Sequence, residues 1–130
     1  MILNLTQHAA SVDQIAAGVL DLPADERAAV SALLTFEDCP DTLDIGNRAA
    51  ALAELAAMSA AWAPHDGAPA DAEVMIGGAP WLMAPLEAEL RALHMQPVYA
   101  FSRRESVDAI QPDGSVRKTA VFRHAGWVPA

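Results

Sequence analysis

Apolar residues recur in two patterns along the chain, and together the patterns predict alternating strands and helices. Short apolar runs bounded by polar or turn-forming residues are typical of buried strands. Three such runs are Ile2–Thr6, Val19–Leu22 and Glu73–Ile76. A fourth run, Pro97–Phe101, is rich in β-branched and aromatic side chains, which suit a pleated and buried surface. We therefore expect four short strands.

Helical spacing fills the intervals between these runs. The predicted helices begin at the capping-box pattern Ser11–Gln14, run from about Pro23 to Phe36 and from about Thr42 to Trp62, and open again at Ala79-Pro80. The middle two form an extra helical pair, a helical insertion at about residues 23–62.

The last third of the chain has the pattern of a β-hairpin. The run that ends at Phe101 is followed by a polar cluster, Ser102–Ser106, which we read as the exit of that strand. Asp113-Gly114 is a turn signal, and Val116–Val121 alternates into a returning strand. These elements predict a single α/β domain over residues 1–130. Its expected architecture is three-layer and Rossmann-like, with a mainly parallel sheet and a C-terminal β-hairpin.

Polar residues follow three of the predicted strands. These segments are Thr6-Gln7-His8, Gly77-Gly78 and Ser102-Arg103-Arg104. Because ligands of open α/β sheets bind at the carboxyl ends of strands, we expect the three segments to share one edge of the sheet. The strand–Gly-Gly–Pro–helix junction also lets a phosphate approach bare amides at a helix N-terminus, although a tight turn alone explains both glycines.

Charge is distributed unevenly along the chain. The whole chain carries a formal net charge of −9. Three arginines face fourteen acids before residue 97, for a net charge of −11, whereas five cations face three acids from residue 97 onward, for +2. A long nucleic acid would be repelled by the acidic part, but a small anion that fits the basic part would not. Solvated charges on a hairpin explain the same pattern without a ligand.

The remaining composition narrows the class of protein. No apolar run approaches the roughly 20 residues that span a membrane, and the N-terminus lacks the features of a signal peptide. Cys39 is the single cysteine and lies among acids, which oppose a thiolate. Four scattered histidines without paired cysteines argue against a zinc site. We therefore expect a cytoplasmic protein without metal or cofactor.

Residues at both ends of the chain resemble a known family. The opening ILNLTQHAASVDQ, the strand–Gly-rich turn–helix junction, PVYAFSRRES and DGSVRKTAVFRHAGW resemble the small standalone CRISPR-associated Rossmann-fold (CARF-like) proteins found with type III systems. Some of these proteins are ring nucleases that cleave cyclic oligoadenylate second messengers. The likeness covers about half of the chain, and residues 19–70 fall outside it. The turn at Gly77-Gly78 also departs from the pattern, since no acidic residue stands beside it.

This resemblance implies a ring nuclease acting on a cyclic oligoadenylate, cyclic tetra-adenylate being the expected ring, within a homodimer. Cleavage would proceed without metal, by attack of the ligand's own 2′-hydroxyl on the neighbouring phosphorus. The candidate catalytic residues are His8, Ser102, Arg104, Lys118 and His124. The candidate ligand-binding residues are Thr6, Gln7, Gly77, Gly78, Arg103 and Arg117. In an extended segment, Arg103 and Arg104 face opposite ways, as do Arg117 and Lys118, so one of each pair is expected in the pocket.

Other interpretations stay open. The protein could sense or sequester the nucleotide without cutting it, or it could be a helical dimerisation or adaptor protein that acts through its alanine-rich helix. Arg104 could pair only with Asp108, and Lys118 could be a solvated edge residue. Trp127 fits the core or a dimer contact better than a stacking platform for adenine.

Overall fold

The computed structural model describes residues 1–130. The strands are β1 (Ile2–Asn4), β2 (Val19–Leu20), β3 (Glu73–Met75), β4 (Gln96–Ile110) and β5 (Val116–Pro129). The helices are α1 (Val12–Ala16), α2 (Ala24–Leu34), α3 (Thr42–Ala57) and α4 (Pro80–Ala92), and a 3-10 turn, Ala60–Trp62, follows α3.

The five strands form one sheet in the order β2-β1-β3-β4-β5. The first four strands are parallel, and β5 is antiparallel to β4. This is an α/β fold of the doubly wound, Rossmann-like type, as predicted. The first connection steps from β1 outward to β2, whereas the later connections step to the other side, to β3 and then β4. The winding therefore reverses between β1 and β3.

The two faces of the sheet are covered unequally. On one face, Leu3 and Val74 belong to a cluster of 18 buried residues that also takes in residues of α2, α3 and α4. On the other face, Ile2, Val19, Met75 and Val98 form a cluster of four, against which Ala10 and Trp127 pack. Neighbouring strand residues point to opposite faces, so one short strand supplies both clusters. The main core lies under the helices α2 to α4.

The last two strands continue far beyond the sheet as a two-stranded ribbon. The partner of β4 on its inner side, β3, pairs only with Gln96–Val98, but β4 pairs with β5 as far as Ile110. Every residue from Ala100 to Arg123 is exposed except for four half-buried ones, which are Val107, Ala109, Gln111 and Val121. We call residues 101–125 the arm and the rest of the chain the body.

The predicted turn at the tip of the arm is confirmed. Gly114 has φ 85°, a left-handed conformation that glycine adopts readily. The Asp113 carboxylate accepts hydrogen bonds from the amide and the hydroxyl of Ser115. These bonds hold the pKa of Asp113 below its usual value. The turn thus closes the long hairpin locally.

Three predicted boundaries are wrong. The returning strand, predicted over Val116–Val121, continues to Pro129 as β5. The strand expected to end at Phe101 continues to Ile110, because its polar residues keep pairing with β5 even though no face is buried. The helix expected to reach Trp62 ends at Ala57, and Ser59 then caps the 3-10 turn by accepting a hydrogen bond from the amide of Ala61 at 3.1 Å. The capping box at Ser11 and Gln14 is confirmed, with both reciprocal bonds present.

None of the helices combines the length and apolar character needed to cross a membrane.

Candidate functional site

A cleft of about 480 Å³ opens at the carboxyl ends of β1 and β3, beside Tyr99 and Ala100 of β4. Its walls are the loop after β1, the loop after β3 and the point where β4 leaves the sheet. The residues that line it are Thr6, Gln7, His8, Ala9, Gln14, Met75, Ile76, Gly77, Gly78, Tyr99 and Ala100. The cleft thus lies where the winding of the sheet reverses, which is the position of ligand sites in doubly wound sheets.

A buried asparagine organises the loop after β1. Asn4 is 4% exposed. Its Nδ2 donates to the His8 carbonyl and to Asp21 Oδ1, both at 2.8 Å, and its Oδ1 accepts from the Thr6 amide at 3.0 Å. The Asp21 carboxylate also accepts from the amide of Ala10 at 3.0 Å. The loop is therefore held rigidly against the end of β2.

The side chains of Thr6, Gln7 and His8 in this loop differ in their hydrogen bonding. The Thr6 hydroxyl donates to Asn4 Oδ1 at 2.7 Å, so its proton stays within the loop. Gln7 Nε2 donates to the hydroxyl of Thr35, beyond the end of α2, at 2.9 Å. His8 is exposed and its imidazole makes no hydrogen bond. His8 therefore offers a free acid or base at the rim of the cleft.

Backbone amides without an internal hydrogen-bond partner stand on two sides of the cleft. The amides of Gln7, His8, Gly77 and Gly78 donate no hydrogen bond within the protein. Gly78 has φ 145°, a conformation that side-chain-bearing residues rarely adopt. The first turn of α4, beginning at Pro80, contains no acid and has no side-chain cap. The unpaired amides give the cleft donors that suit an anion, and α4 begins two residues beyond Gly78.

Tyr99 forms the wall on the side of β4. Its hydroxyl donates to Glu87 Oε2 on α4 at 2.8 Å. Burial, followed by the hydrogen bond and the charge of Glu87, raises the pKa of Tyr99 to about 12. The phenol therefore stays protonated near neutral pH and cannot serve there as a general base.

The structure separates the other predicted residues from this cleft. Thr6, Gln7, His8, Gly77 and Gly78 line it, but Ser102, Arg103, Arg104, Arg117 and Lys118 lie on the exposed arm and His124 lies at its base. The expected meeting of three strand exits therefore holds for two of them. The third segment is not an exit, because β4 runs through it.

The arm alternates as expected for an extended segment. The register sets Arg103 opposite Arg123 and Arg104 opposite Phe122, so the adjacent arginines point to opposite sides. Lys118 lies opposite Asp108 in the register, and Arg104 forms no ion pair with Asp108, so the alternative role for Arg104 is not borne out. No lysine or arginine lines the cleft at the ends of β1 and β3.

At the base of the arm, His124 packs on Trp127 with the ring centroids 4.5 Å apart. The Nδ1 atom of His124 is buried without a hydrogen-bond partner. Trp127 itself packs against the smaller core cluster, which agrees with its interpretation as a core residue. Beside it, Arg123 and Asp13 of α1 form an ion pair at 3.6 Å that ties the arm to the body.

A larger cleft of about 740 Å³ lies between α2 and α3. Glu37, Asp38 and Asp44 line it together with Arg48, whose guanidinium donates to the carbonyls that end α2 and to Asp44. The excess of carboxylates there opposes an anion, so its size does not make it the better candidate for a nucleotide. The structure contains no group of three or more His, Cys, Asp or Glu residues placed to hold a metal ion.

Sequence reasoning missed Asn4, Asp21 and Tyr99 as parts of the site. Asn4 stands inside an apolar run, and a polar residue on a predicted buried strand was the available signal. Its partner Asp21 is 17 positions away and could be identified only from the fold.

Comparison with known proteins gives one family. A family model described as "Uncharacterized protein MJ1673 family" matches residues 1–128, nearly the whole chain. No match was found among curated proteins or among solved structures.

Proposed function

The chain belongs to the Uncharacterized protein MJ1673 family, and we propose that it binds a cyclic oligoadenylate in the cleft between β1 and β3. The observation that carries the proposal is the position of that cleft at the reversal of winding, lined by amides without internal partners. The resemblance of the chain to CARF-like ring nucleases supplies the class of ligand. The proposal places the protein in the cytoplasm, in type III CRISPR signalling.

The lining suits phosphate groups more than bases or sugars. The amides of Gly77 and Gly78, which line the cleft, can donate to phosphate oxygens without a charged side chain. A volume of about 480 Å³ lies within the usual range of small-molecule sites, which is roughly 300–1,000 Å³. One cleft holds part of a four-nucleotide ring, so a two-fold homodimer with two facing clefts fits a symmetric ring.

We further propose that the bound ring is opened by its own 2′-hydroxyl. The 2′-oxygen attacks the adjacent phosphorus, the bond from phosphorus to the 5′-oxygen breaks, and the proton passes from the 2′-oxygen to the 5′-oxygen. The products are a 2′,3′-cyclic phosphate and a 5′-hydroxyl, and no other reactant is consumed. His8 is the titratable group at the cleft that can move this proton, since Tyr99 is held in its protonated form.

The test measures binding and product in one experiment. Purified protein is incubated with cyclic tetra-adenylate in EDTA between pH 6 and 9. Binding is measured by calorimetry, and the products are identified by mass spectrometry. Gly77→Val fills the cleft and should weaken binding by about tenfold or more, whereas Gly46→Val, where a side chain meets open space on α3, should not. Absence of binding by the wild-type protein would overturn the proposal.

His8→Ala separates binding from cleavage. Removal of a general acid–base group should slow ring opening by about 10²–10⁴-fold while binding is retained. His65→Ala, in an exposed loop beyond the cleft, is the matched control and should change neither property.

A second candidate is a protein that binds the nucleotide without cutting it. The lining of one cleft contains a single imidazole and no cation, which favours binding over catalysis. Tight binding with no linear product would select this function. The helical adaptor has less support, because the alanine-rich side of α3 (Ala49, Ala53 and Ala56) is buried inside the body.

A further inference from the structure

The arm exposes apolar side chains that a solvated hairpin does not need. Ile110 is 81% exposed, Phe122 is 72% exposed and Val116 is 63% exposed. On the neighbouring helix α1, Val12 is 84% exposed and Ile15 is 57% exposed. Strand alternation puts Ile110, Val116 and Phe122 on one face of the ribbon, opposite the face from which Arg123 contacts Asp13 of α1, so Val12 and Ile15 are not part of this apolar face. Exposed apolar surface of this extent is typical of an interaction site.

The arm also lacks the support that a free-standing ribbon requires. A two-stranded hairpin is marginally stable in water without a third strand or a covering helix. In this chain β4 has a partner on its inner side only at Gln96–Val98, and β5 has none on its outer side. Arg103 lies directly opposite Arg123, and such like-charged pairs destabilise a hairpin. A partner that supplies apolar and acidic groups would relieve both defects.

The charges of the chain identify such a partner. The arm carries Arg103, Arg104, Arg117, Lys118 and Arg123 against three acids, for a net charge of +2. The body carries −11. The arm of one molecule therefore complements the body of another, and in a two-fold dimer both such contacts form at once.

We infer that the arm packs against the acidic body of a second copy of this chain, so that in the dimer the arm of each molecule contacts the body of the other. This inference names the surface and does not depend on the identity of any ligand. A long nucleic acid is the alternative occupant of a basic ribbon, but the net charge of −9 opposes it.

Sedimentation equilibrium or light scattering tests the inference without ligand. The wild-type protein should have twice the chain mass of 13.7 kDa at micromolar concentration. Phe122→Ser and the pair Arg104→Glu with Lys118→Glu should each raise the dimer dissociation constant by about tenfold or more. Because all three positions are exposed, circular dichroism should show the fold intact. Raising the salt concentration should also weaken the dimer.

Two matched controls use the body. Leu43→Ser changes a residue that is 72% exposed on α3, and Arg27→Glu reverses an exposed charge on α2. Neither removes an apolar or cationic group of the arm, so neither should weaken assembly as the arm variants do. A monomeric wild-type protein would overturn the inference, and so would a dimer that survives the arm variants. It would also be overturned if the protein is a monomer that binds a 20-base-pair DNA duplex added to the sample. A monomeric wild-type protein would also remove the two-fold ring site proposed above, whereas binding of the nucleotide to a single cleft is measured separately.

Discussion

The body and the arm of the chain are stabilised in different ways. In the body, strands of two or three residues are buried among helices, and side chains such as Leu3, Val74 and Leu86 are fully buried. In the arm, two long strands rely on their backbone bonds to each other, and nearly every side chain is exposed. The body thus owes its stability to apolar burial, whereas the arm has the backbone bonds between its two strands and little apolar burial. The candidate site lies at the boundary, where β4 passes from one region to the other.

The largest difference in the free energy of unfolding should appear when an aromatic residue is removed from each region. Trp62 is fully buried, and its Nε1 donates to the Ala56 carbonyl at 2.7 Å. Trp62→Ala should lower the free energy of unfolding by about 3–5 kcal/mol. Phe122→Ala on the arm should change it by less than about 0.5 kcal/mol in the monomer at high dilution. Urea unfolding measures both values, and equal losses would contradict the division into two regions.

A smaller loss is expected from the polar centre of the site. Asn4→Leu removes the four hydrogen bonds of the Asn4 side chain and leaves Asp21 and the Thr6 amide without this partner. The free energy of unfolding should fall by about 2–3 kcal/mol. Amides of residues 6–10 should exchange faster with deuterium. Gln7→Ala, which removes one exposed bond to Thr35, is the control and should cost less than about 1 kcal/mol.

The junction between the body and the arm can be tested by titrating Tyr99, which lies beside it on β4 and is the only tyrosine of the chain. Its pKa is about 12 in the folded protein instead of 10.0. Because the folded value is raised, the stabilising contribution is complete below pH 10 and is lost as the pH rises from about 10 to 12. Phenolate absorbance should show a midpoint near 12 in buffer and near 10 in denaturant. Glu87→Gln should lower the folded midpoint, and an unchanged midpoint would mean that Glu87 has no part in the shift.

The smallest effect is expected at the link between the arm and the body. The side chains of Arg123 and Asp13 are 56% and 36% exposed, so their ion pair is well solvated. Asp13→Asn should lower the free energy of unfolding by no more than about 1 kcal/mol, and 1 M salt should remove the difference. A larger loss that persists in salt would show that the arm is anchored to its own body more firmly than the contacts indicate.

These two regions also differ in how well sequence predicted them. The body follows the rules of apolar periodicity, so the bounds of β1 and β3 and the start of α4 were predicted to within about two residues. The arm buries neither face, and the polar residues from Ser102 onward therefore resembled a loop when they are in fact paired strand. Periodicity detects a strand by its buried side, and this part of β4 has none.

The candidate site shows the same contrast. Gly77-Gly78 and Thr6-Gln7-His8 could be placed at one edge because local patterns mark both as strand exits. The separation of the cleft from Arg103, Arg104 and Lys118 depends on the full length of the hairpin. The bonds of Asn4 depend on a contact with the distant Asp21, which no local pattern reveals.

The most direct test of the central claim is an NMR titration of the ¹⁵N-labelled protein with cyclic tetra-adenylate in EDTA. The account predicts that the amides of Gln7, His8, Gly77 and Gly78 shift first and furthest, because they are the free donors of the cleft. It would be contradicted if no amide shifts at saturating ligand, or if the shifts are confined to the cleft between α2 and α3.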